Sequence, residues 1–198
     1  NAPVVKIALD LHCHSIASDG ALAPAELVAR VAARGGKVLA LTDHDDLSGL
    51  PEAHQAAQVL GVELIDGVEI SVSYGSKTLH VVGLGLDTQD AQLNAGLAQL
   101  RVGRFERAQR MADSLAKVGI QGALEGAKQY ALNPDLIGRV HFGRFLIEQG
   151  HAKDMKAVFK RFLVKGKLGY ASHQWATLQD AVRWIIGAGG IAVLAHPG

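Results

Sequence analysis

Asp10-Leu11-His12-Cys13-His14 is the stretch on which the fold turns. The residues leading into it, 5–11, form a short apolar run with little alternation, as in a strand covered on both faces. In a strand, positions i and i+2 face the same way, so His12 and His14 project together and Cys13 points to the other side. Neutral imidazoles and carboxylates are good ligands for divalent ions. The same placement recurs along the chain. Thr42-Asp43-His44-Asp45 closes a second apolar run, Gly67-Val68-Glu69 a third, His80 a fourth, and His196-Pro197-Gly198 the last. Side chains at the C-terminal ends of parallel strands converge on one face, which is where barrels and open α/β sheets build their sites. His12, His14, His44, Glu69, His80 and His196 are therefore candidate metal ligands.

The links between these runs read as helices. Residues 24–34 begin with Pro24, place Leu27, Val28 and Val31 on one face, and stop at Gly35-Gly36. Residues 38–42 form a second buried strand, and residues 51–60 a second helix stopped by Gly61. Strands at 62–65 and 70–73 flank Glu69, a turn occupies 74–76, and another strand covers 78–86. Alternating strands and helices with short links predict parallel βα units, in a barrel or an open sheet. The pattern changes near Ala91. A long helical stretch covers 91–119, with further helices near 122–131, 138–149 and 153–163. An amphipathic helix at 177–188 and a buried strand at 191–195 then lead into His196. The organisation expected is a barrel's first part at 1–97, a helical insertion at 98–170 and the barrel's continuation at 171–198.

Composition narrows the class. At 198 residues with 48% hydrophobic side chains, the chain makes one domain, or one domain carrying an insertion. Its single cysteine excludes a disulfide framework and a thiolate zinc site, and fits a reducing, cytoplasmic setting. No apolar run approaches a membrane span, and no signal-peptide layout opens the chain. Net charge is only +1, but it is divided unevenly. Residues 98–170 hold 14 Lys and Arg against 6 Asp and Glu, whereas the remainder holds 6 against 13. An acidic, cation-binding part faces a basic, anion-binding part. Arg101, Arg104 and Arg107 step by three along one helix and form a slowly drifting stripe. Aromatics are sparse at 5% and several fall at helical spacing, which speaks for core rather than a stacking surface for nucleic acid.

Individual residues carry rival readings. Cys13 reads as core packing. Asp19 precedes Gly20, so it serves equally well as a turn residue or a ligand. Asp43 and Asp45 flank His44; orienting a ligand imidazole from behind is the preferred reading, over direct ligation or capping the next turn. His54 reads as a surface histidine, and His151 and His173 lie in loop-like or inserted sequence. Gly138-Arg139-Val140-His141-Phe142-Gly143-Arg144 opens a helix, where backbone amides and guanidinium groups both favour phosphate. Arg139, His141 and Arg144 are candidate substrate-binding residues, with Lys165 and Lys167 as weaker ones.

Asp-Leu-His-Cys-His-Ser at 10–15, Leu-Thr-Asp-His-Asp at 41–45, Gly-Val-Glu-Ile at 67–70, His80 and Ala-His-Pro-Gly at 195–198, in this order, resemble the PHP (polymerase and histidinol phosphatase) domain family. The resemblance covers 7–87 and 191–198. It implies the α/β class: a distorted seven-stranded (β/α) barrel with two or three divalent ions (Mn, Zn or Fe) at the C-terminal strand ends. Carried over by motif, the implied ligands are His12, His14, Asp19, His44, Glu69, His80 and His196. Asp19 combined with a helical insertion resembles the branch that acts on nucleotides, which removes phosphate from nucleoside 3′,5′-bisphosphates or trims short RNA from its 5′ end. The implied chemistry is phosphoester hydrolysis by a metal-activated hydroxide. Asp19, His44 and His141 are the candidate catalytic residues, His141 as a donor to the leaving group. The family pattern continues past His-Pro-Gly to a closing strand with Asp-x-His, so that strand is expected beyond Gly198. The partner expected is a small phosphorylated nucleotide or a short RNA end, with no membrane; the sequence does not set an oligomeric state. Rival readings are a histidinol-phosphate phosphatase, an amide or lactone hydrolase, and a non-catalytic nucleic-acid-binding module.

Overall fold

The computed structural model describes residues 8–197 apart from Ser76 and Leu132. Residues 5–7 of the first expected strand, Ser76 of the expected turn and Gly198 of the last motif lie outside these. The described strands make one sheet, ordered β1 (Leu9–Cys13), β2 (Val38–Leu41), β3 (Glu63–Tyr74), β4 (Lys77–Leu84) and β6 (Ile191–Leu194), with β5 (Ala176–Thr177) paired beside the end of β3. It curls into a half-barrel of the kind the sequence implied.

The first half follows the alternation expected. β1, β2 and β3 run parallel, with α1 (Pro24–Ala33) and α2 (Leu50–Leu60) as crossovers. Pro24 sits in the first turn of α1, and Gly61 ends α2 in the left-handed conformation that only glycine adopts cheaply. Val28, Leu39, Leu41, Leu50, Ala53 and Val62 seal these helices onto the sheet.

The parallel βα pattern stops after Asp66. β3 does not break around Glu69; it runs on to Tyr74, leaves β2 after Asp66 and pairs antiparallel with β4 from Gly67 onward. β4 in turn pairs antiparallel with β6. The cause lies in the link at 74–76, which is far too short for a parallel crossover of about a dozen residues. Gly67 permits the change of partner. A Cβ there would lie 2.8 Å from Thr42 Cγ2 and 3.0 Å from the Leu41 carbonyl.

α3 (Ala91–Ala116) is capped by Asp90, whose carboxylate accepts from the Leu93 amide at 2.8 Å. Its first half contributes Leu93, Leu97 and Leu100 to the core under β3 and β4. Its second half contributes Ala108, Met111 and Leu115 to a separate helical core. That core also takes α4 (Ala123–Lys128), α5 (Arg139–Glu148) and α6 (Met155–Val158), which runs into a wide π-turn at Phe159–Leu163. One continuous helix thus serves both cores. α7 (Leu178–Gly187) returns the chain to the sheet through Ala181 and Ile185.

Two runs expected to be buried on both faces border the sheet among the described residues. Leu9 and Leu11 on β1, and Ile191, Val193 and Leu194 on β6, are exposed. An apolar run records a preference for cover; it does not say from which strand the cover comes. Among the described residues no helix is long and apolar enough to cross a membrane.

Candidate metal centre

Glu69 is the hub. Its side chain is 1% exposed, and five imidazoles close on its two oxygens. Oε2 lies 3.1 Å from His12 Nε2, 3.0 Å from His14 Nε2 and 3.4 Å from His44 Nδ1. Oε1 lies 3.1 Å from His80 Nδ1 and 3.1 Å from His196 Nε2. Asp19 Oδ2 stands 3.9 Å from His44 Nε2 on the outer side.

Each side chain arrives by its own backbone device. His12 and His14 leave the bulged end of β1 with their Nε2 atoms 3.2 Å apart. His44 lies just past β2, in a one-residue parallel bridge to Glu69. The Asp45 amide donates to the Glu69 carbonyl and the Glu69 amide to the Asp43 carbonyl, both at 3.1 Å. Glu69 and His80 are mid-strand rather than at strand ends. Register puts Glu69 opposite Val82 and Ser71 opposite His80, so all four share one face. His196 follows β6 with φ +30, a conformation that costs a residue with a Cβ on the order of 1–3 kcal/mol and swings the ring out of the pleat toward Glu69.

The carboxylates beside His44 hold loops. Buried Asp43 accepts from the Ser15 amide at 2.7 Å and from the Ser15 and Ser18 hydroxyls at 2.6 Å each, which fastens the loop carrying Asp19. Burial pushes the Asp43 carboxyl upward, against those hydrogen bonds. Gly20 lets the loop fold back, since a Cβ there would meet the His14 carbonyl at 2.1 Å. Asp45, at φ +51, accepts from the Ser71 amide at 2.8 Å and from Arg104 at 2.6 Å.

The donor set fits divalent ions. Three triads, His12–His14–Glu69, His14–Asp19–His44 and His44–Glu69–His80, each bring one ligand atom per residue within 4.8 Å of the others. Among the described residues, His14 Nδ1 and His44 Nδ1 are buried without a hydrogen-bond partner, an arrangement that is costly for imidazoles without a function. Burial, reinforced by the Arg104 charge, holds His44 well below the ordinary imidazole range, which keeps it neutral and ligand-ready. At His14 burial opposes protonation, but Glu69, Asp19 and Asp43 outweigh it and raise the ring. Burial also opposes ionisation of Glu69, yet the histidines around it hold the carboxyl far below its usual range.

A cavity of about 400 Å³ opens beside the cup. Asp19, His44 and His80 form one wall, and Lys77, Arg104, Arg107, Arg139 and Lys165 supply positive charge, with Phe159, Tyr170 and Trp175 between them. Gly138, Arg139 and Val140 also line it, so the N-terminus of α5 opens onto this space. Burial pushes Arg107 down to about 10, helped by the charges of Arg139 and Arg104. Burial, together with Arg104, lowers Arg139 as well. Arg104 is paired with Asp45, whereas Arg107 and Arg139 make no ion pair among the described residues.

Arg144 and His141 are not among the described residues that line the cavity. Arg144 turns to the Asp19 loop and donates to the Gly20 carbonyl at 3.1 Å and the Asp19 carbonyl at 3.4 Å. His141 is 1% exposed, and its Nδ1 accepts from the Gly138 amide at 3.0 Å. Burial pushes its pKa down to about 4. Lys165 reaches the cavity wall and Lys167 does not. Cys13 packs against the first core, its Sγ 3.3 Å from the Ala40 carbonyl, and burial pushes the thiol up to about 12. Half-exposed His54 pairs with Asp66 at 2.6 Å on the far side of α2. Trp175 is the residue that sequence reasoning missed. Arg104 and Arg107 lie 5.1 and 5.5 Å from its ring. No local motif marks it; only the arginine stripe that stacks on it was visible.

A cup of imidazoles and carboxylates on a half-barrel, opening onto a basic cavity, defines a class: a metal-dependent phosphoesterase. The chain belongs to the PHP domain family, whose model matches residues 10–189. It is 54% identical over 190 residues to a 3′,5′-nucleoside bisphosphate phosphatase of Chromobacterium violaceum, covering 96% of this chain and 67% of that protein. It is 44% identical over 188 residues to a 5′-3′ exoribonuclease of Haemophilus influenzae, covering 95% and 68%. A solved structure of an amidohydrolase from Chromobacterium violaceum, with bound sulfate and no metal, superposes with a TM-score of 0.93 at 54% identity, covering 96% of this chain and 67% of that one. A Bifidobacterium adolescentis structure, whose proposed class is metal-dependent phosphoesterase, gives 0.90 at 26% identity, covering 97% and 68%. The chain spans about two thirds of the length of the curated relatives it matches.

Proposed function

We propose that this chain hydrolyses a phosphate monoester of a small nucleotide of the nucleoside 3′,5′-bisphosphate type, or the 5′ end of short RNA, with two or three Mn, Zn or Fe ions. The observation that carries this reading is Arg139. The insertion holds seven arginines. Six donate to protein acceptors: Arg101, Arg104, Arg107, Arg110, Arg144 and Arg161. Arg139 makes no hydrogen bond or ion pair among the described residues. It rests 5.5 Å from the Phe159 ring and faces the cavity that His44 and His80 share.

His12, His14, Asp19, His44, Glu69, His80 and His196 would hold the ions. Bound there, divalent ions supply Lewis-acid polarisation of phosphoryl oxygens and a water made nucleophilic at neutral pH. The rest falls to the chain. Neutral His44 keeps the lone pair of one ring nitrogen free for an ion. Asp43 and Asp45 fix the loops on either side of it. Arg139, Lys77 and Lys165 meet the anion, and the N-terminus of α5 adds oriented amides. His141 holds that N-terminus by accepting from Gly138, so its role is to present Arg139. Tyr170 and Phe159 offer the apolar surface that a nucleoside needs. A neutral amide or a lactone has no use for so much positive charge, and the amidohydrolase reading loses ground for that reason.

Phosphate release from adenosine 3′,5′-bisphosphate, measured with manganese and with chelator, tests the reading. Chelator-sensitive release is expected. Release that persists in chelator, or none from a chain that has bound its metal, overturns it.

A further inference from the structure

The insertion's polar side chains reach the first 97 residues at few places. Arg101 donates to the Asp45 carbonyl at 3.0 Å, and Arg104 to the Asp45 carboxylate at 2.6 Å and the Ser71 hydroxyl at 2.8 Å. Asn133 donates to the Asp46 carboxylate at 3.0 Å. Arg144 donates to the carbonyls of Asp19 and Gly20. Apart from Ser71, the targets form two short stretches, 19–20 and 45–46, which contain or adjoin the loop-borne ligands Asp19 and His44.

The three triads differ in what supports them. His12–His14–Glu69 rests on strands β1 and β3, and His44–Glu69–His80 takes two of its members from the middle of β3 and β4. Asp19 belongs only to His14–Asp19–His44, and it lies on a loop. Asp43 grips that loop at Ser15 and Ser18, upstream of Asp19. Arg144 grips it at Asp19 itself. A guanidinium on main-chain carbonyls fixes a loop without touching the carboxylate, which stays available to an ion.

Building on the function proposed above, we propose that the insertion assembles one metal subsite, His14–Asp19–His44, and that Arg144 is its positioning residue. Arg101 and Arg104 perform the same work on the His44 side. The strand-borne triads form without Arg144; the Asp19 triad does not. Outer contacts of this kind change metal affinity by about 10–100-fold in other sites.

The experiment is manganese binding by the whole chain, followed through the free-ion electron paramagnetic resonance signal. Wild type is compared with Arg144→Ala, Arg144→Lys, Asp19→Asn, the double variant Arg144→Ala/Asp19→Asn, and Arg110→Ala. Arg144→Ala is expected to weaken one class of site by about 10–100-fold and leave the remainder intact. Asp19→Asn should remove the same class, and the double variant should be no worse than Asp19→Asn alone, because Arg144 acts through Asp19. Lysine, which keeps one charged donor, should restore part of the affinity, and Arg110→Ala, whose guanidinium is committed to the Ser172 carbonyl, should bind as wild type does. Unchanged binding in Arg144→Ala, or an effect that adds fully to that of Asp19→Asn, overturns the proposal while the metal centre stands. Wild type that binds no manganese overturns the metal centre and this proposal with it. Thermal melts in chelator guard against misfolding; should Arg144→Ala melt early, Arg144→Lys decides, and wild-type binding in a chain whose lysine leaves the Asp19 loop open to proteolysis overturns the proposal.

Discussion

The cup and the insertion carry opposite charge, and they use it in opposite ways. In the cup, five histidines and two carboxylates point at one another, held by the sheet and by the loops that carry Asp19 and His44. In the insertion, arginines point mostly at main-chain oxygens of neighbouring loops. The cup concentrates its chemistry. The insertion spends most of its charge on architecture and leaves one guanidinium over. A charge count alone therefore overstates what the insertion can offer an anion, whereas a ligand count describes the cup fairly.

The largest effect should come from the hub. Glu69→Gln keeps the shape but removes the charge on which five imidazoles converge. Metal content should fall by the ions of the two triads that share Glu69, and kcat/KM on adenosine 3′,5′-bisphosphate should fall by more than the ~10–100-fold typical of contacts behind the ligands. Metal analysis and steady-state kinetics on one preparation measure both. A variant that keeps its metal and a tenth of its activity would show that the cup tolerates loss of its centre, as the insertion tolerates loss of a surface arginine.

The same contrast explains what could be read from sequence. A ligand that ends an apolar run announces itself, because strand period and strand end together fix its direction: His12, His14 and His44 are of this kind. Glu69 and His80 were legible as residue types but not as positions, since the hairpin at Gly75 converts two expected strand ends into the middle of an antiparallel pair. His196 depends on a positive φ that no residue pattern announces. The insertion was legible as helices and as charge. Which arginine faces the cavity was not, because helical period sets a face while the acceptors on that face come from loops some 60 to 125 residues away in sequence. The division expected at 97/98 falls inside α3, and what stayed hidden there is the change of core. One uninterrupted helix serves two cores, and nothing in its sequence marks the change of partner.

An intermediate effect separates architecture from chemistry within the insertion. His141 has a pKa of about 4 in the fold, pushed down by burial, against 6.5 for an ordinary imidazole. Above about pH 6.5 both folded and unfolded chains carry it neutral, and it adds no pH dependence. Between about 6.5 and 4 the unfolded chain takes up a proton that the folded chain refuses, so stability falls as pH falls, by up to about 3 kcal/mol. His141→Asn retains an acceptor for the Gly138 amide and cannot charge. Urea unfolding of metal-free protein at pH 7 and pH 4.5 should show a smaller acid loss in the variant. Equal losses in the two proteins would mean that His141 is protonated in the fold after all, and its place as a neutral support for α5 would be lost.

The smallest effect is the most discriminating. A charged hydrogen bond to a phosphate is worth about 1.5–3 kcal/mol, so Arg139→Ala should raise KM for adenosine 3′,5′-bisphosphate by about 10–100-fold. An aryl phosphate, with nothing to place at the second anion position, should respond by less than about threefold on the same basis. Arg110→Ala is the matched comparison. It removes the same charge from the same insertion, but its guanidinium is committed to the Ser172 carbonyl at 3.0 Å. Were the insertion a diffuse positive field, both variants would lose affinity alike, and both losses would fade with salt as screening shortened to about 10 Å at 0.1 M. If the contact at Arg139 is specific and partly desolvated, its loss persists at higher salt and Arg110→Ala stays near wild type. Equal, salt-erased losses would return the insertion to a matter of net charge, and its contrast with the cup would vanish.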